Sequence, residues 1–182
     1  MTPIPGYSAP AAGFEAPLEM LSACHVRIER QCATLRRLVP HLAEHGADAQ
    51  ARTAASQVIR YFDTSARDHH ADEEVDLFPA LIESMAGSDA VCLRELTAAL
   101  TAEHRELETR WSRVRVGLER IAAGEPVRLE AALVEDLVGL YERHLAREDD
   151  ELLPMAARLL GEDAIGQVGR AMRIRRGIHS VD

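Results

Sequence analysis

The chain has 182 residues, 47% of them hydrophobic, which is enough for one domain that buries a sizeable core. Aromatic residues make up only 4%, and the apolar content rests on Ala, Leu and Val, so the composition favours helices. The net charge of −9 argues against a nucleic-acid or anionic-membrane surface, where a basic domain is expected.

The sequence has no recognisable signal for secretion, membrane insertion or disulfide bonding. No basic segment leads into an apolar run at the N-terminus, and no run approaches about 18 apolar residues. The three cysteines, Cys24, Cys32 and Cys92, include no Cys-x-x-Cys pair, so we expect small buried apolar residues instead of a disulfide framework. These features predict a soluble, cytoplasmic protein.

Residues 1–16 are predicted to form an extended N-terminal arm, because their repeated Pro and Gly residues are incompatible with a helix. Phe14, near the end of the arm, is expected to pack on the body of the protein. Residues 17–161 are predicted to be the folded unit. Residues 162–182 are predicted to be a short helix, over about 162–174, and a tail.

Apolar residues recur at helical spacing in four segments of the folded unit and predict four long helices. With their caps included, they are predicted to run from Leu18 to Gly46, from Asp48 to Met85 with a stop at Gly87, from Ser88 or Asp89 to Gly124, and from Arg128 to Gly161. Pro40 should end or kink the first helix, and Pro79 should bend the second. Long helices joined by short turns predict an all-α, up-down-up-down antiparallel four-helix bundle.

One motif occurs twice, on the second and fourth predicted helices. The aligned pairs are His69 with His144, Glu73 with Glu148, Leu77 with Leu152, and Pro79 with Pro154. In each copy the His and Glu are four residues apart, a spacing that returns to the same face of a helix. Imidazole and carboxylate together suit iron, manganese or zinc, and a carboxylate can bridge two ions. Surface pairing is the alternative, but it would not need the shared Leu-x-Pro ending.

One candidate ligand histidine lies on each of the other two predicted helices, His25 on the first and His104 on the third. The pattern therefore predicts two similar hairpins, each giving one His and then a His with a Glu. Packed as a bundle, the hairpins would bring four imidazoles and two carboxylates to one interior level.

This ordered set resembles the hemerythrin-like, or HHE cation-binding, family of four-helix-bundle proteins. The resemblance covers about residues 16–160 and is carried by His25 with Ile28 and Leu35, His69-x-x-x-Glu73-Glu74 ending Leu77-Phe78-Pro79, Glu103-His104, and His144-x-x-x-Glu148 ending Leu152-Leu153-Pro154. It implies a non-haem di-iron centre, two iron ions with an oxo or hydroxo bridge. The implied metal ligands are His25, His69, Glu73, His104, His144 and Glu148, with the two glutamates bridging.

The third predicted helix differs from the third helix of the oxygen-carrying hemerythrins, which supplies two histidines four residues apart. Here Glu108 follows His104 at that distance, and Leu100 precedes it. The sequence is more similar to the four-histidine, two-glutamate relatives associated with iron–sulfur repair and nitric oxide stress. Two bridging carboxylates and two imidazoles fill four positions on each ion, which leaves vacancies on six-coordinate iron.

We therefore expect a di-iron protein that binds or reacts with O2, NO or peroxide, in iron handling or in oxidative or nitrosative stress. Two alternatives stay open: an iron or oxygen sensor that acts through a protein partner, and a reversible O2-binding protein. No nucleic-acid or membrane partner is expected, and the arm is compatible with a homodimer. A ferritin-like oxidase is disfavoured because the sequence has none of the Glu-x-x-His pairs that its metal site uses. A zinc hydrolase is disfavoured because the motif His-Glu-x-x-His is absent. Whether the protein is an enzyme stays open.

Several residues beside the candidate ligands have open roles. His70 and Glu74 repeat the spacing of His69 and Glu73 but point about 100° away on a helix, so we expect only His69 to face the interior well. His70 and Glu74 are then expected to support the ligands from outside. For Glu29 and Glu108, a hydrogen bond to a ligand imidazole, ligation and a solvated salt bridge all stay open.

Other polar residues are interpreted as surface groups. The histidines without partner spacing are His41, His45 and His179. The arginines near the C-terminus are Arg170, Arg173, Arg175 and Arg176. For these we favour a solubilising role at a helix end over a partner-binding patch.

Overall fold

A computed structural model describes residues 13–85 and 89–178, and every regular element in these two ranges is helical. In chain order they are α1 (Pro17–His45), α2 (Ala49–Asp63), α3 (Ser65–Ala71), π1 (Asp72–Leu77), α4 (Phe78–Ser84), α5 (Asp89–Ala122), α6 (Ala131–Arg147), π2 (Glu148–Leu152), α7 (Leu153–Leu159) and α8 (Glu162–Arg175). The predicted all-α fold is confirmed. Within these ranges no helix has the length and apolarity needed to cross a membrane.

Four helices pack side by side around a common core. α1 contacts α2 and α6, and α5 contacts the same two helices from the other side. Each of the four therefore has two neighbours, and together they enclose the space in which the candidate ligands lie.

α1 is one continuous helix, and it runs through Pro40 to His45. The alternative that Pro40 ends the helix is therefore wrong. The helix closes at Gly46, whose N–H donates to the carbonyl of Leu42 at 3.1 Å. Gly46 has φ 66°, a conformation that side chains disfavour, which explains why glycine stands at this end.

The second predicted helix is divided near its middle. Asp48 caps it as predicted, accepting from the N–H of Ala51 at 2.8 Å. The helix then breaks at Thr64, whose φ of −125° and ψ of −80° separate α2 from α3. The apolar spacing gave no sign of this break. Gly87 and Ser88, the predicted stop and cap that follow, lie outside the described residues.

Each copy of the repeated motif contains one wide helical turn. The N–H of Phe78 bonds to the carbonyl of Glu73, and the N–H of Leu153 bonds to that of Glu148, in both cases five residues back. The next residue is Pro79 in the first copy and Pro154 in the second. A proline donates no hydrogen bond and its ring crowds the carbonyl four residues back, so a π turn just before it relieves both problems.

The core consists of two apolar layers with the candidate ligands between them. One layer contains Ile28, Phe62 and Leu107, and the other contains Leu21, Leu77 and Leu100, all fully or almost fully buried. On α1 the chain passes from Leu21 through His25 to Ile28, and on α5 from Leu100 through His104 to Leu107. The histidines therefore occupy the boundary between the layers, where apolar packing excludes solvent on both sides.

The C-terminal helix α8 packs against the chain that precedes α1. The Phe14 ring lies 5.6 Å from the guanidinium of Arg173, in accord with the predicted packing of Phe14 on the body. A Cβ atom at Gly169 would lie 2.0 Å from the carbonyl oxygen of Phe14, so only glycine permits this approach. Residues 1–12 of the predicted arm lie outside the described residues.

Two predictions about individual side chains are wrong. Arg175 and Arg176 do not merely solubilise a helix end, because both bind the buried carboxylate of Asp72. Their partner, Asp72, is a buried carboxylate of the same chain, and the net charge of the sequence could not indicate this pairing. Cys24 and Cys32 are buried as expected, but Cys92 is exposed because it faces outward on the first turn of α5.

Candidate metal centre

All six predicted ligands lie together between the two apolar layers. His25 comes from α1, His69 from α3, His104 from α5 and His144 from α6, while Glu73 and Glu148 come from the two π turns. None of the six side chains is more than 2% exposed. The sequence thus predicted which residues meet, and their role as metal ligands stays a prediction.

The carboxylate of Glu148 faces imidazoles on both sides. Its Oε2 atom lies 3.2 Å from Nε2 of His25 and 3.9 Å from Nε2 of His69. Its Oε1 atom lies 3.0 Å from Nε2 of His144 and 3.7 Å from Nε2 of His104. Each oxygen therefore belongs to a different pair of imidazoles.

Glu73 divides its oxygens in the same way. Oε1 lies 3.6 Å from Nε2 of His69, and Oε2 lies 3.4 Å from Nε2 of His104. The centre therefore has two halves that share both carboxylates. We call the imidazoles of His25 and His69 the first half-site and those of His104 and His144 the second half-site.

The inward atoms of this cluster are buried without hydrogen-bond partners in the described part of the chain. They are Nε2 of His25, His69, His104 and His144, and both carboxylate oxygens of Glu73 and Glu148. An unsatisfied buried polar group costs about 1–3 kcal/mol, and a charged one more, so such a concentration is unfavourable by itself. Cations between the nitrogen and oxygen atoms would supply the missing partners, and the donor set fits a metal.

Three of the imidazoles are fixed by carboxylates on their other nitrogen. Nδ1 of His25 lies 2.8 Å from Oδ1 of Asp149, and Nδ1 of His104 lies 2.7 Å from Oε1 of Glu74. A carboxylate only accepts, so each imidazole has a hydrogen on Nδ1, and in its neutral form the Nε2 lone pair faces the cluster. This arrangement is typical of metal-binding histidines.

The third such contact joins Nδ1 of His144 to Oε2 of Glu103, at 2.8 Å. Glu103 is held in turn by Arg147, whose Nη1 lies 2.9 Å from Oε1, and Glu74 is held by Arg105. Among the four imidazoles, only that of His69 has a buried Nδ1 atom without a partner in residues 13–85 and 89–178. The outer carboxylates therefore set the tautomer of three of the four candidate ligands.

Sequence reasoning found one of these outer carboxylates, Glu74, and missed two. Asp149 directly follows Glu148 just as Glu74 follows Glu73, so the repeat itself carried the missing signal. Glu108 is not bonded to an imidazole; it pairs with Arg105 at the surface, with Nη1 to Oε1 at 3.1 Å. Glu29 is exposed, and Asp149 takes the position that was open to it beside His25.

Buried charges shift the proton affinities of the cluster in the metal-free protein. Burial lowers the pKa of His25, but the carboxylates of Glu148 and Glu73 outweigh it and raise the pKa to about 9. The same balance raises the pKa of His104 to about 10. Burial and the charge of Glu148 raise the pKa of Glu73 to about 7. Without a metal, protons on the imidazoles balance the carboxylate charge.

The expectation that His70 would face away from the interior is wrong. Its side chain is only 6% exposed, and its ring stacks on that of His104, with centroids 3.9 Å apart. The turn of about 100° from His69 directs His70 toward α5 and α6, not toward solvent. Both neighbouring histidines are therefore buried, one beside each half-site.

A cavity of about 270 Å³ is lined in part by His70. Its lining includes the aromatic rings of Phe62, Trp111 and Tyr141, and the exposed Glu108 stands at its edge. Its lining therefore includes both buried residues and a surface residue.

The family-level comparison agrees with this site. A sequence model described as the Hemerythrin HHE cation binding domain matches residues 16–156, which include every residue of the cluster. The chain belongs to this family. The HHE chain is also 31% identical over 167 residues to an uncharacterized protein of Haemophilus influenzae, a match that covers 92% of the HHE chain and 94% of that relative.

Proposed function

We propose that this HHE protein holds two iron ions, one at each half-site, and binds or reacts with small oxidants such as O2, NO or peroxide. The observation that supports two ions is the division of each carboxylate between two pairs of imidazoles. A glutamate that served a single ion would need imidazoles beside only one of its oxygens. Iron is proposed over manganese or zinc because the resemblance to the four-histidine, two-glutamate relatives implies it.

The residues around the cluster fit this role. Asp149, Glu74 and Glu103 hold three imidazoles with Nε2 inward, and the apolar layers on either side exclude bulk water. With two imidazoles and two carboxylate oxygens, each ion would keep positions for small molecules from outside. When bound, the iron pair would supply the electrons that reduce such a molecule.

Other parts of the prediction belong to this proposal as well. The four packed helices would alternate in direction, as in an antiparallel bundle, and the protein would act in the cytoplasm, alone or as a homodimer. Its physiological role would lie in iron handling or in the response to oxidative or nitrosative stress. A sensor acting through a partner and a reversible O2-binding protein are the alternatives that would use the same centre.

The proposal is tested with protein loaded anaerobically with iron(II) and then exposed to NO, to peroxide and to O2. We expect new absorption bands with NO and oxidation of the iron by peroxide or O2. His104→Ala should abolish these bands while the helical circular dichroism remains. His41→Ala is the matched control, since His41 contacts Asp48 outside the centre. O2 that came off intact on deoxygenation would favour the carrier function, and absence of any reaction would overturn the proposal.

A further inference from the structure

We infer that His70 is a fifth imidazole ligand, binding the ion of the second half-site together with His104 and His144. This inference rests on the proposed function, because it needs a metal at that half-site. It goes beyond the ligand set implied by the family resemblance, which contains four histidines, and it makes the two half-sites unequal.

The first observation is an unpartnered nitrogen inside the protein. His70 is 94% buried, and its Nε2 atom has no hydrogen-bond partner in the described ranges. The inward nitrogens of His104 and His144 share this property. A buried imidazole nitrogen without a partner is rare in proteins unless a ligand satisfies it.

The second observation is the spacing of the three imidazoles. One ring nitrogen from each of His70, His104 and His144 lies within 4.8 Å of the other two. An ion at the usual nitrogen distance of about 2.1 Å holds its imidazole nitrogens about 3–4 Å apart, so only a small closure is required. The rings of His70 and His104 are nearly parallel, at 13°, and must tilt for both lone pairs to meet one ion. His70 also lines a cavity of about 270 Å³, so its ring is not packed by side chains on every side.

The third observation is that the repeat is broken at this residue. In the second copy of the motif, the residue after His144 is Leu145, which is buried in an apolar layer. The two copies therefore agree at His69 and His144 but differ at His70 and Leu145. The first copy thus has a polar residue, His70, at the interior position where the second copy has the apolar Leu145. His70 lies beside the second half-site, where a bound metal would satisfy its imidazole.

The consequence is a difference between the two ions. The first would have two imidazoles and two carboxylate oxygens, and the second would have three imidazoles and two oxygens. The second ion would be held more tightly, and the larger number of open positions would lie on the first. Small molecules would accordingly bind to the ion beside His25 and His69.

The inference can be tested by counting coordinated imidazoles in the cobalt(II)-loaded protein. Each imidazole bound to cobalt gives ring proton resonances with large hyperfine shifts, and selective labelling of histidine assigns them. We expect five such imidazoles in the wild-type protein. His70→Gln should remove one of them and weaken the binding of one cobalt ion about tenfold or more. His41→Gln should leave the count and the affinities unchanged.

The wild-type count decides the question even if His70→Gln does not fold. Two bound cobalt ions with only four shifted imidazoles would overturn this inference and leave the proposed function intact. Five imidazoles with one assigned to His70 would support it. A protein that bound neither cobalt nor iron would overturn the proposed function, and this inference with it.

Discussion

Nη2 of Arg176 lies 2.6 Å from Oδ2 of Asp72, the residue directly before the predicted bridging ligand Glu73. The carboxylate of Asp72 is fully buried and is also bound by Arg175, which pairs with Asp76 as well. The C-terminal part of the chain, through two arginines, therefore holds the π turn that carries Glu73. The same contacts explain why a buried acid stands next to the cluster without being part of it.

Arg176→Met should destabilise the metal-free protein by about 2–3 kcal/mol, because it removes one partner of a buried carboxylate while Arg175 still remains. Urea unfolding followed by circular dichroism measures this change. Arg170→Met, at an exposed arginine of α8, the helix that ends just before Arg176, is the matched control and should change stability by less than about 0.5 kcal/mol. Equal effects of the two substitutions would mean that the Asp72 contact contributes nothing.

Glu103→Gln should weaken metal binding about 10- to 100-fold without unfolding the helices. Loss of its charge makes the Nδ1–H contact to His144 weaker and the imidazole less basic. Competition with a chromophoric chelator measures the affinity. Glu106→Gln serves as control, since Glu106 is exposed and its one ion pair among the described residues is with Arg110. The explanation is wrong if both variants bind metal like the wild type.

Metal binding should release protons, and metal affinity should fall as the pH is lowered. His25 and His104, with pKa values raised to about 9 and about 10 by the nearby carboxylates after the opposing effect of burial, carry protons at neutral pH in the metal-free protein. An imidazole must lose its extra proton before it binds a metal, so lower pH favours the metal-free form. Calorimetric titration at pH 7.5 in buffers of different ionisation enthalpy gives the number of protons released. Identical binding enthalpies in all buffers would contradict this prediction.

Only Cys92 should react with iodoacetamide in the folded protein at pH 8. Cys92 is exposed, whereas burial raises the pKa of Cys32 to about 12 and also raises that of Cys24. Mass spectrometry after brief labelling identifies the modified residue. Labelling in urea provides the control, because all three thiols should then react. Rapid modification of Cys32 without denaturant would show that its layer of the core opens readily.

The repeat made the six central residues predictable from the sequence. His and Glu at a spacing of four, followed by Leu-x-Pro, are local features, and a local feature survives whatever the helices pack against. The single histidines His25 and His104 followed from the order of the hairpins. All six meet in the structure, so the choice of residues needed no knowledge of the fold beyond helices that pack side by side.

The remaining contacts depend on packing between helices, which spacing does not encode. Asp149 bonds to His25 across the interface between π2 and α1, and Arg176 reaches Asp72 from the far end of the chain. The inward position of His70 likewise depends on which helices lie beside α3. The break at Thr64 was unpredictable for another reason, since the apolar pattern continues across it with Phe62 and Ala66 buried on either side.

The most direct test of the proposed centre is an anaerobic titration of the metal-free protein with iron(II), followed by desalting and elemental analysis. Two half-sites that share Glu73 and Glu148 predict that about two iron ions per chain remain bound, and that His144→Ala lowers this number. Retention of a single iron, or of none after reconstitution, would contradict the central claim that the divided carboxylates bridge a pair of iron ions.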